Sequence, residues 1–123
     1  MVRPSALTIS YLNGKCMANA DFFFYFQNAM VSTDIGNICS VSNSYLRFDQ
    51  PNSFFAAMSF GNCGYAFPCA MGAKLGAPER PSIAYVGDGA WGMSLNEVMT
   101  CVRENIPAIA GNFFFNFVFF NFF

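Results

Sequence analysis

The residues best suited to chemistry lie where apolar runs end in short, glycine-rich turns. Gly87-Asp88-Gly89 follows the apolar run at residues 82–86, and its two glycines allow the backbone to approach a ligand closely. The Asp88 carboxylate is a hard oxygen ligand of the kind that Mg²⁺ takes together with phosphate oxygens of a bound molecule. An ordinary Asp-Gly turn is the alternative interpretation of this tripeptide.

A second turn, Asp-Ile-Gly-Asn at residues 34–37, has the same arrangement at the end of a short strand predicted at residues 30–33. Backbone amides at the start of a following helix can bind a diphosphate. The alternative to a ligand-binding role for Asp34 is that its side chain caps a helix. A third Gly-rich turn, residues 61–64, follows the apolar run 54–58.

The elements that must position these turns alternate between strand and helix patterns. Short strands are predicted at 30–33, 54–58 and 82–86, a small-residue segment at 65–75 predicts a helix, and another strand is expected from Ala108. This order predicts an α/β fold with a parallel sheet and helices on both faces. Ligands of such sheets bind at the carboxyl ends of the strands, so we expect the three turns to converge there.

The last predicted helix begins with an S-x-x-E pattern at Ser94 to Glu97, which is typical of a capping box. We expect this helix to end near Asn105, before a proline. Its apolar residues are predicted to share one buried face. They are Leu95, Val98, Met99 and Val102.

Composition excludes several classes of function. The chain of 123 residues has six Lys and Arg against seven Asp and Glu, so nucleic-acid binding has no electrostatic support. The absence of histidine removes Ser-His and Cys-His catalytic pairs and the commonest zinc ligand. The five cysteines form no CxxC pair, and this favours a reducing cytoplasm over a disulfide framework. No membrane span is expected, because the apolar segment 108–123 is short and interrupted by asparagines.

Three zones differ in composition. Residues 1–29 are irregular and residues 30–110 are well patterned. Residues 111–123 form a low-complexity tail with eight Phe. We therefore expect one partial domain at 30–110 between an N-terminal segment and a Phe-rich tail.

Residues 31–107, about two-thirds of the 123-residue chain, resemble the pyrophosphate-binding domain of thiamine-diphosphate enzymes. GDG at 87–89 is similar to the start of the family's metal motif, and TDIGN at 33–37 to its first cofactor turn. GNCGYAFPCAMGA at 61–73 is similar to the segment under the thiazolium ring. Three runs look most like the sulfoacetaldehyde acetyltransferase branch: VSTDIGNICSVSNSYLRF, AAMSFGNCGYAFP and GDGAWGMS.

The resemblance implies a partial doubly wound sheet of the thiamine-diphosphate-binding fold, with thiamine diphosphate and Mg²⁺ as cofactors. Asp88 would bind Mg²⁺, which holds the cofactor diphosphate. The diphosphate itself would be contacted by Gly36, Asn37, Gly89 and Ala90.

The resemblance also implies roles around the cofactor rings. The Gly61 carbonyl would accept a hydrogen bond from the pyrimidine 4′-amino group, and Cys63 takes the position of the side chain that wedges the cofactor into its bent shape. The family's metal motif closes with an Asn, a place that falls near Phe115 and Asn116 here. Phe cannot coordinate Mg²⁺, so Asn116 is the candidate second ligand, provided that the strand shifts by one residue.

The implied parent activity converts sulfoacetaldehyde and phosphate to acetyl phosphate and sulfite, a reaction of taurine metabolism, in a homo-oligomeric cytoplasmic enzyme. Small molecules would be its partners, with no nucleic acid and no membrane. The family's activating glutamate belongs to a domain absent from these residues, so no catalytic residue is assigned and the chain alone is expected to be inactive. Three alternatives stay open: a truncated or frame-shifted non-catalytic fragment, an acetolactate-synthase-like enzyme, and a peptide that associates with partners or membranes through its Phe tail.

Overall fold

A computed structural model describes residues 28–114 and 117–122, which form five strands and four helices. The strands are β1 (Met30–Thr33), β2 (Phe54–Ala56), β3 (Ser82–Gly87), β4 (Ile109–Phe114) and β5 (Phe117–Phe122). The helices are α1 (Asn37–Tyr45), α2 (Ala66–Gly76), α3 (Asp88–Ser94) and α4 (Glu97–Glu104).

The strands form one sheet in the order β2-β1-β3-β4-β5. The first four are parallel, and β5 pairs antiparallel with β4. Val31 lies opposite both Phe54 and Ile83, so β1, which lies between β2 and β3, fixes the register of its two neighbours. The predicted parallel α/β sheet is therefore confirmed. Its carboxyl edge carries the ends of β1 and β3, from which the turns at Asp34 and Asp88 emerge.

Alternate residues of β3 pack on opposite faces of the sheet, as the two-residue period of a strand requires. Ala84 and Val86 face a core that includes Phe67 of α2 and Cys101 of α4. Ile83 packs on the other face in a second apolar cluster. Phe67 is fully buried, and burial of such a side chain contributes about 1.5–3 kcal/mol. Both faces of the central strands are thus covered, as is usual for parallel sheets.

The predicted capping box at Ser94 to Glu97 is wrong. The helix α3 begins at Asp88, directly after β3, and includes Ser94 in its last turn. The Ser94 hydroxyl is buried and donates to the Ala90 carbonyl at 3.4 Å. Glu97 instead accepts hydrogen bonds from Asn96 and Thr100 at the start of α4. Because α4 begins three residues after Ser94, that hydroxyl cannot cap it.

The predicted apolar face of the last helix is also largely wrong. Val98 packs against the core, but Leu95, Met99 and Val102 are 50%, 73% and 62% exposed. Cys101 is the fully buried residue of α4. Positions 98 and 101 are one helical turn apart and face the sheet. The helix is only eight residues long, so it buries a narrow stripe and leaves its remaining apolar side chains in solvent.

Other boundaries shift by one or two residues. The helix α2 spans Ala66–Gly76, and β2 ends at Ala56 rather than at residue 58. The strand β4 crosses the compositional boundary between Ala110 and Gly111, so the sheet continues into the Phe-rich segment. The N-terminal zone lies outside the described residues up to position 27. Within the part of the chain that the structure describes, no helix has the length and apolar character needed to cross a membrane.

Candidate functional site

A cavity of about 520 Å³ opens at the carboxyl edge of the sheet, between the turns that follow β1 and β3. Six residues predicted to bind the cofactor line it: Gly36, Asn37, Cys63, Asp88, Gly89 and Ala90. Five further lining residues were not predicted: Ile35, Ile38, Val41, Tyr85 and Gly87. For two of these, Ile38 and Val41, the sequence does hold a signal: they lie one helical turn apart on α1 and therefore share a face.

Gly36 shapes the first turn. Its backbone has φ 104° and ψ −158°, a region that is essentially restricted to glycine. The helix α1 begins at the next residue and has no side chain capping its start. The first N–H groups of a helix have no acceptor inside the helix. Those of Asn37 and Ile38, two residues that line the cavity, are therefore suited to bind an anion.

The turn at residues 61–64 supplies a second wall of the cavity. Gly61 and Gly64 have positive φ values of 72° and 82°. A Cβ on Gly64 would lie 3.2 Å from the Met93 Cβ, so glycine allows this turn to approach α3 closely. The exposed Cys63 lines the cavity. Gly61 does not line it, and the Ile35 side chain, which does, lies 3.5 Å from a Cβ built on Gly61.

The third wall is the turn from β3 into α3. Asp88 is the first residue of α3 and is exposed on the cavity wall. A carboxylate in the first turn of a helix is stabilised by the partial positive charge there. Cβ atoms built on Gly87 and Gly89 meet no heavy atom within 4 Å. These glycines therefore keep open space beside the Asp88 carboxylate.

The charge of this cavity decides what it can bind. Among residues 28–114 and 117–122, Asp88 is the charged residue that lines it, and no Lys or Arg of these ranges does so. Lys74 and Arg80 donate to backbone carbonyls in the loops that precede β1 and β3, at the opposite edge of the sheet. A bare diphosphate would be repelled by Asp88. A divalent cation between the two would turn that repulsion into binding.

A cation held in this way would have few protein ligands. Among residues 28–114 and 117–122, no group of three or more His, Cys, Asp or Glu side chains is placed to hold a metal. Mg²⁺ typically keeps waters and phosphate oxygens and takes one or two protein carboxylates. The single carboxylate of Asp88 is consistent with that coordination preference. The predicted second ligand, Asn116, lies outside the described residues, as does Phe115.

Asp34 is placed behind the cavity rather than in it. Its side chain is fully buried and accepts hydrogen bonds from the backbone N–H groups of Tyr65 at 3.3 Å and Ala66 at 3.0 Å. The alternative role as a helix cap is therefore the observed one. The capped helix is α2, which begins far along the chain, and not the adjacent α1.

Two other titratable groups are perturbed without lining the cavity. The Cys69 Sγ lies 3.4 Å from the Tyr65 hydroxyl, and a hydrogen bond in which the sulfur accepts the phenol proton, together with burial, raises the pKa of Tyr65 to about 12. Burial and the nearby Glu97 raise the pKa of the Cys101 thiol. Raised pKa values keep both groups protonated, so neither is activated as a nucleophile.

Comparison with known proteins agrees with this geometry. Residues 34–112 match the model of the thiamine pyrophosphate enzyme, C-terminal TPP binding domain. The matched range includes the β1 turn, the 61–64 turn and the Gly87-Asp88-Gly89 turn. Proteins of this family use thiamine diphosphate with a divalent metal such as Mg²⁺.

Individual relatives are similar over the same region. Sulfoacetaldehyde acetyltransferase of Castellaniella defragrans is 69% identical over 84 residues, which is 68% of this chain and 14% of that protein. The enzyme of the same name from Alcaligenes xylosoxydans is 73% identical over 81 residues, or 66% of this chain and 13% of that protein. Acetolactate synthase isozyme 3 large subunit of Escherichia coli is 28% identical over 85 residues, 69% of this chain and 15% of that protein.

The chain thus spans about one-seventh of the length of these relatives. This small share of the relatives' length does not affect the family assignment, because the family model matches more than half of the 123 residues of this chain. The matched residues also supply the cavity walls described above. The chain therefore belongs to the thiamine pyrophosphate enzyme family, through the C-terminal TPP binding domain.

Proposed function

We propose that this chain binds thiamine diphosphate and Mg²⁺ in the cavity at the carboxyl edge, with Asp88 as the carboxylate ligand of the metal. One observation carries the proposal: an exposed carboxylate lies in a glycine-walled cavity to which the described part of the chain contributes no basic side chain. Such a site fits a polyphosphate only together with a cation. The family match supports the same cofactor pair.

The other cavity residues would act mainly through their backbones. Gly36, Asn37, Gly89 and Ala90 would contact the diphosphate, since small residues and helix-start amides leave room for its oxygens. Cys63 would lie against the rest of the cofactor from the third turn. The carbonyl of Gly61 as acceptor for the pyrimidine amino group, and Asn116 as second metal ligand, stay proposals that rest on the resemblance to the family.

Equilibrium titration with thiamine diphosphate at saturating Mg²⁺, followed by Trp91 fluorescence or calorimetry, tests the metal assignment. Asp88→Asn should weaken Mg²⁺-dependent binding by at least roughly tenfold, because even indirect metal partners are worth that much. Asp49→Asn is the matched control, since Asp49 is exposed and does not line the cavity. Equal affinity of Asp88→Asn and the parent would rule out Asp88 as the ligand.

At the level of the whole protein, we propose an acyltransferase that converts sulfoacetaldehyde and phosphate to acetyl phosphate and sulfite. The support is the identity of 69% and 73% to two proteins named sulfoacetaldehyde acetyltransferase. Thiamine diphosphate, when bound, supplies the electron sink for carbon–carbon and carbon–sulfur chemistry. The residues of this chain bind and orient the diphosphate end and shield one side of it from water.

A chimera tests the acyltransferase proposal. Residues 34–112 would replace the matching segment of the Alcaligenes enzyme, and release of sulfite from sulfoacetaldehyde would be measured beside formation of acetolactate from pyruvate. We expect sulfite and acetyl phosphate, both lost in the Asp88→Asn chimera. A chimera that makes acetolactate instead would favour the acetolactate-synthase-like alternative, for which the identity is 28% and 32% to two relatives.

A further inference from the structure

Asp34 is a fully buried carboxylate whose two oxygens both serve backbone groups of a distant segment. One oxygen accepts the Tyr65 N–H at 3.3 Å, and the other accepts the Ala66 N–H at 3.0 Å. A buried charge is tolerated only where hydrogen bonds compensate its loss of water. The arrangement makes Asp34 a link between two segments and leaves neither oxygen directed at the cavity.

The helix α2 depends on this link. Tyr65 precedes the helix with a helical backbone and provides no capping side chain. The first N–H groups of a helix need acceptors from outside it. Asp34 provides them from 31 and 32 residues earlier in the chain. The cap of α2 is therefore a tertiary contact that belongs to the end of β1.

The link joins two walls of the cavity. Asp34 directly precedes Ile35 and Gly36 of the first wall, and Tyr65 follows the turn 61–64 that carries Cys63. The other end of that turn is held by a hydrogen bond from the Gly61 N–H to the Ala57 carbonyl at 2.8 Å. With both ends fixed, the position of the 61–64 turn relative to the first wall is set by Asp34.

We propose that Asp34 is a positioning residue, which holds the 61–64 turn in register with the 35–37 turn so that both contact the same cofactor. The proposal rests on the cofactor binding proposed above, and it adds a residue that touches neither cofactor nor metal. Its distinguishing consequence is that loss of the Asp34 carboxylate changes the turn and the affinity, while the sheet stays intact.

The matched variants are Asp34→Asn and Ser32→Ala. Ser32 is equally buried on β1 and donates to the Ala66 carbonyl at 2.6 Å, so it ties β1 to the same helix without serving the N–H groups. The Asn side chain keeps the shape of Asp but offers one acceptor in place of two and carries no charge. Asp34→Ser, which also retains one acceptor, is the second variant if Asp34→Asn folds poorly.

Two measurements are made on the whole chain: amide hydrogen exchange of residues 61–66 without cofactor, and thiamine diphosphate affinity at saturating Mg²⁺. Asp34→Asn should speed exchange in the turn, leave exchange in β3 unchanged, and weaken affinity roughly tenfold, the size of one charge-assisted hydrogen bond. Ser32→Ala should lower the urea midpoint but keep affinity within about twofold.

Parent-like exchange and affinity in Asp34→Asn would overturn the proposal. So would an equal loss of affinity in Ser32→Ala at the same loss of stability, because Asp34 would then act only on stability. If the parent chain binds no thiamine diphosphate, the proposed function fails by itself. The exchange comparison still decides the role of Asp34, and unchanged exchange at residues 61–66 would refute it.

Discussion

Replacing Gly36 with Ala should destabilise the protein through its backbone alone. Gly36 has φ 104° and ψ −158°, and a side chain in such a conformation costs about 1–3 kcal/mol. A Cβ built there meets no heavy atom within 4 Å, so no steric clash with a neighbour adds to that cost. We therefore expect Gly36→Ala to lower the free energy of unfolding by about 1–3 kcal/mol.

The matched control is Gly72→Ala in the middle of α2. A Cβ on Gly72 also meets no heavy atom within 4 Å, but its backbone is helical and its position is exposed. Ala is a better helix former than Gly by about 1 kcal/mol, so this variant should be more stable than the parent. The two Gly→Ala changes, each made into open space, are predicted to act in opposite directions.

Urea unfolding followed by Trp91 fluorescence measures both variants. Trp91 is the only Trp in the sequence, and its ring meets Phe67 edge-on at 4.9 Å, so it reports on the core beneath the site. The slope against urea should stay unchanged, which shows that the same surface is exposed on unfolding. If Gly36→Ala equals or exceeds the parent in stability while Gly72→Ala behaves as expected, the strained turn at Gly36 is refuted.

Three further predictions follow from the same geometry. Gly89→Ala should raise stability by about 0.5–1 kcal/mol, because Gly89 is helical, yet weaken cofactor binding; unchanged affinity would show that the added methyl group does not reach the ligand. Alkylation of Cys63 should slow when thiamine diphosphate and Mg²⁺ are added, while alkylation of Cys69, outside the cavity, should not; mass spectrometry of the labelled peptides checks this. The pKa of Tyr65 is raised from 10.0 to about 12 by the Cys69 thiol and burial. The unfolded chain therefore loses this proton first, and the contribution to stability, present below pH 10, is lost between pH 10 and 12. The urea midpoint should fall more steeply across that range in the parent than in Tyr65→Phe, and parallel slopes would contradict the assignment.

The cavity residues that follow strands were predictable because their signal is local. Gly36 and Asp88 each follow a segment with a strand pattern, and parallel strands bring such ends to one edge. The capping box predicted at Ser94 was wrong although its S-x-x-E pattern is equally local. No residue near Ser94 indicates that a helix already begins at Asp88. The exposure of Met99 and Val102 was unpredictable, since their apolar character does not reveal how narrow a stripe a short helix buries.

Asp34 illustrates what local patterns cannot give. Its position after β1 indicates a cap, and the adjacent helix α1 is the natural candidate. The hydrogen bonds instead reach Tyr65 and Ala66, because α2 packs against β1 in the folded protein. Only the tertiary arrangement identifies which helix receives the carboxylate.

The most direct test of the account is a crystal structure of the chain with thiamine diphosphate and Mn²⁺, which prefers oxygen ligands as Mg²⁺ does and is located by its anomalous scattering. We expect a metal peak about 2.1 Å from a carboxylate oxygen of Asp88, close to the distance that Mg²⁺ takes, with the diphosphate between the turn at Gly36 and Asn37 and the turn at Gly89. A metal bound elsewhere, or a diphosphate outside this cavity, would contradict it.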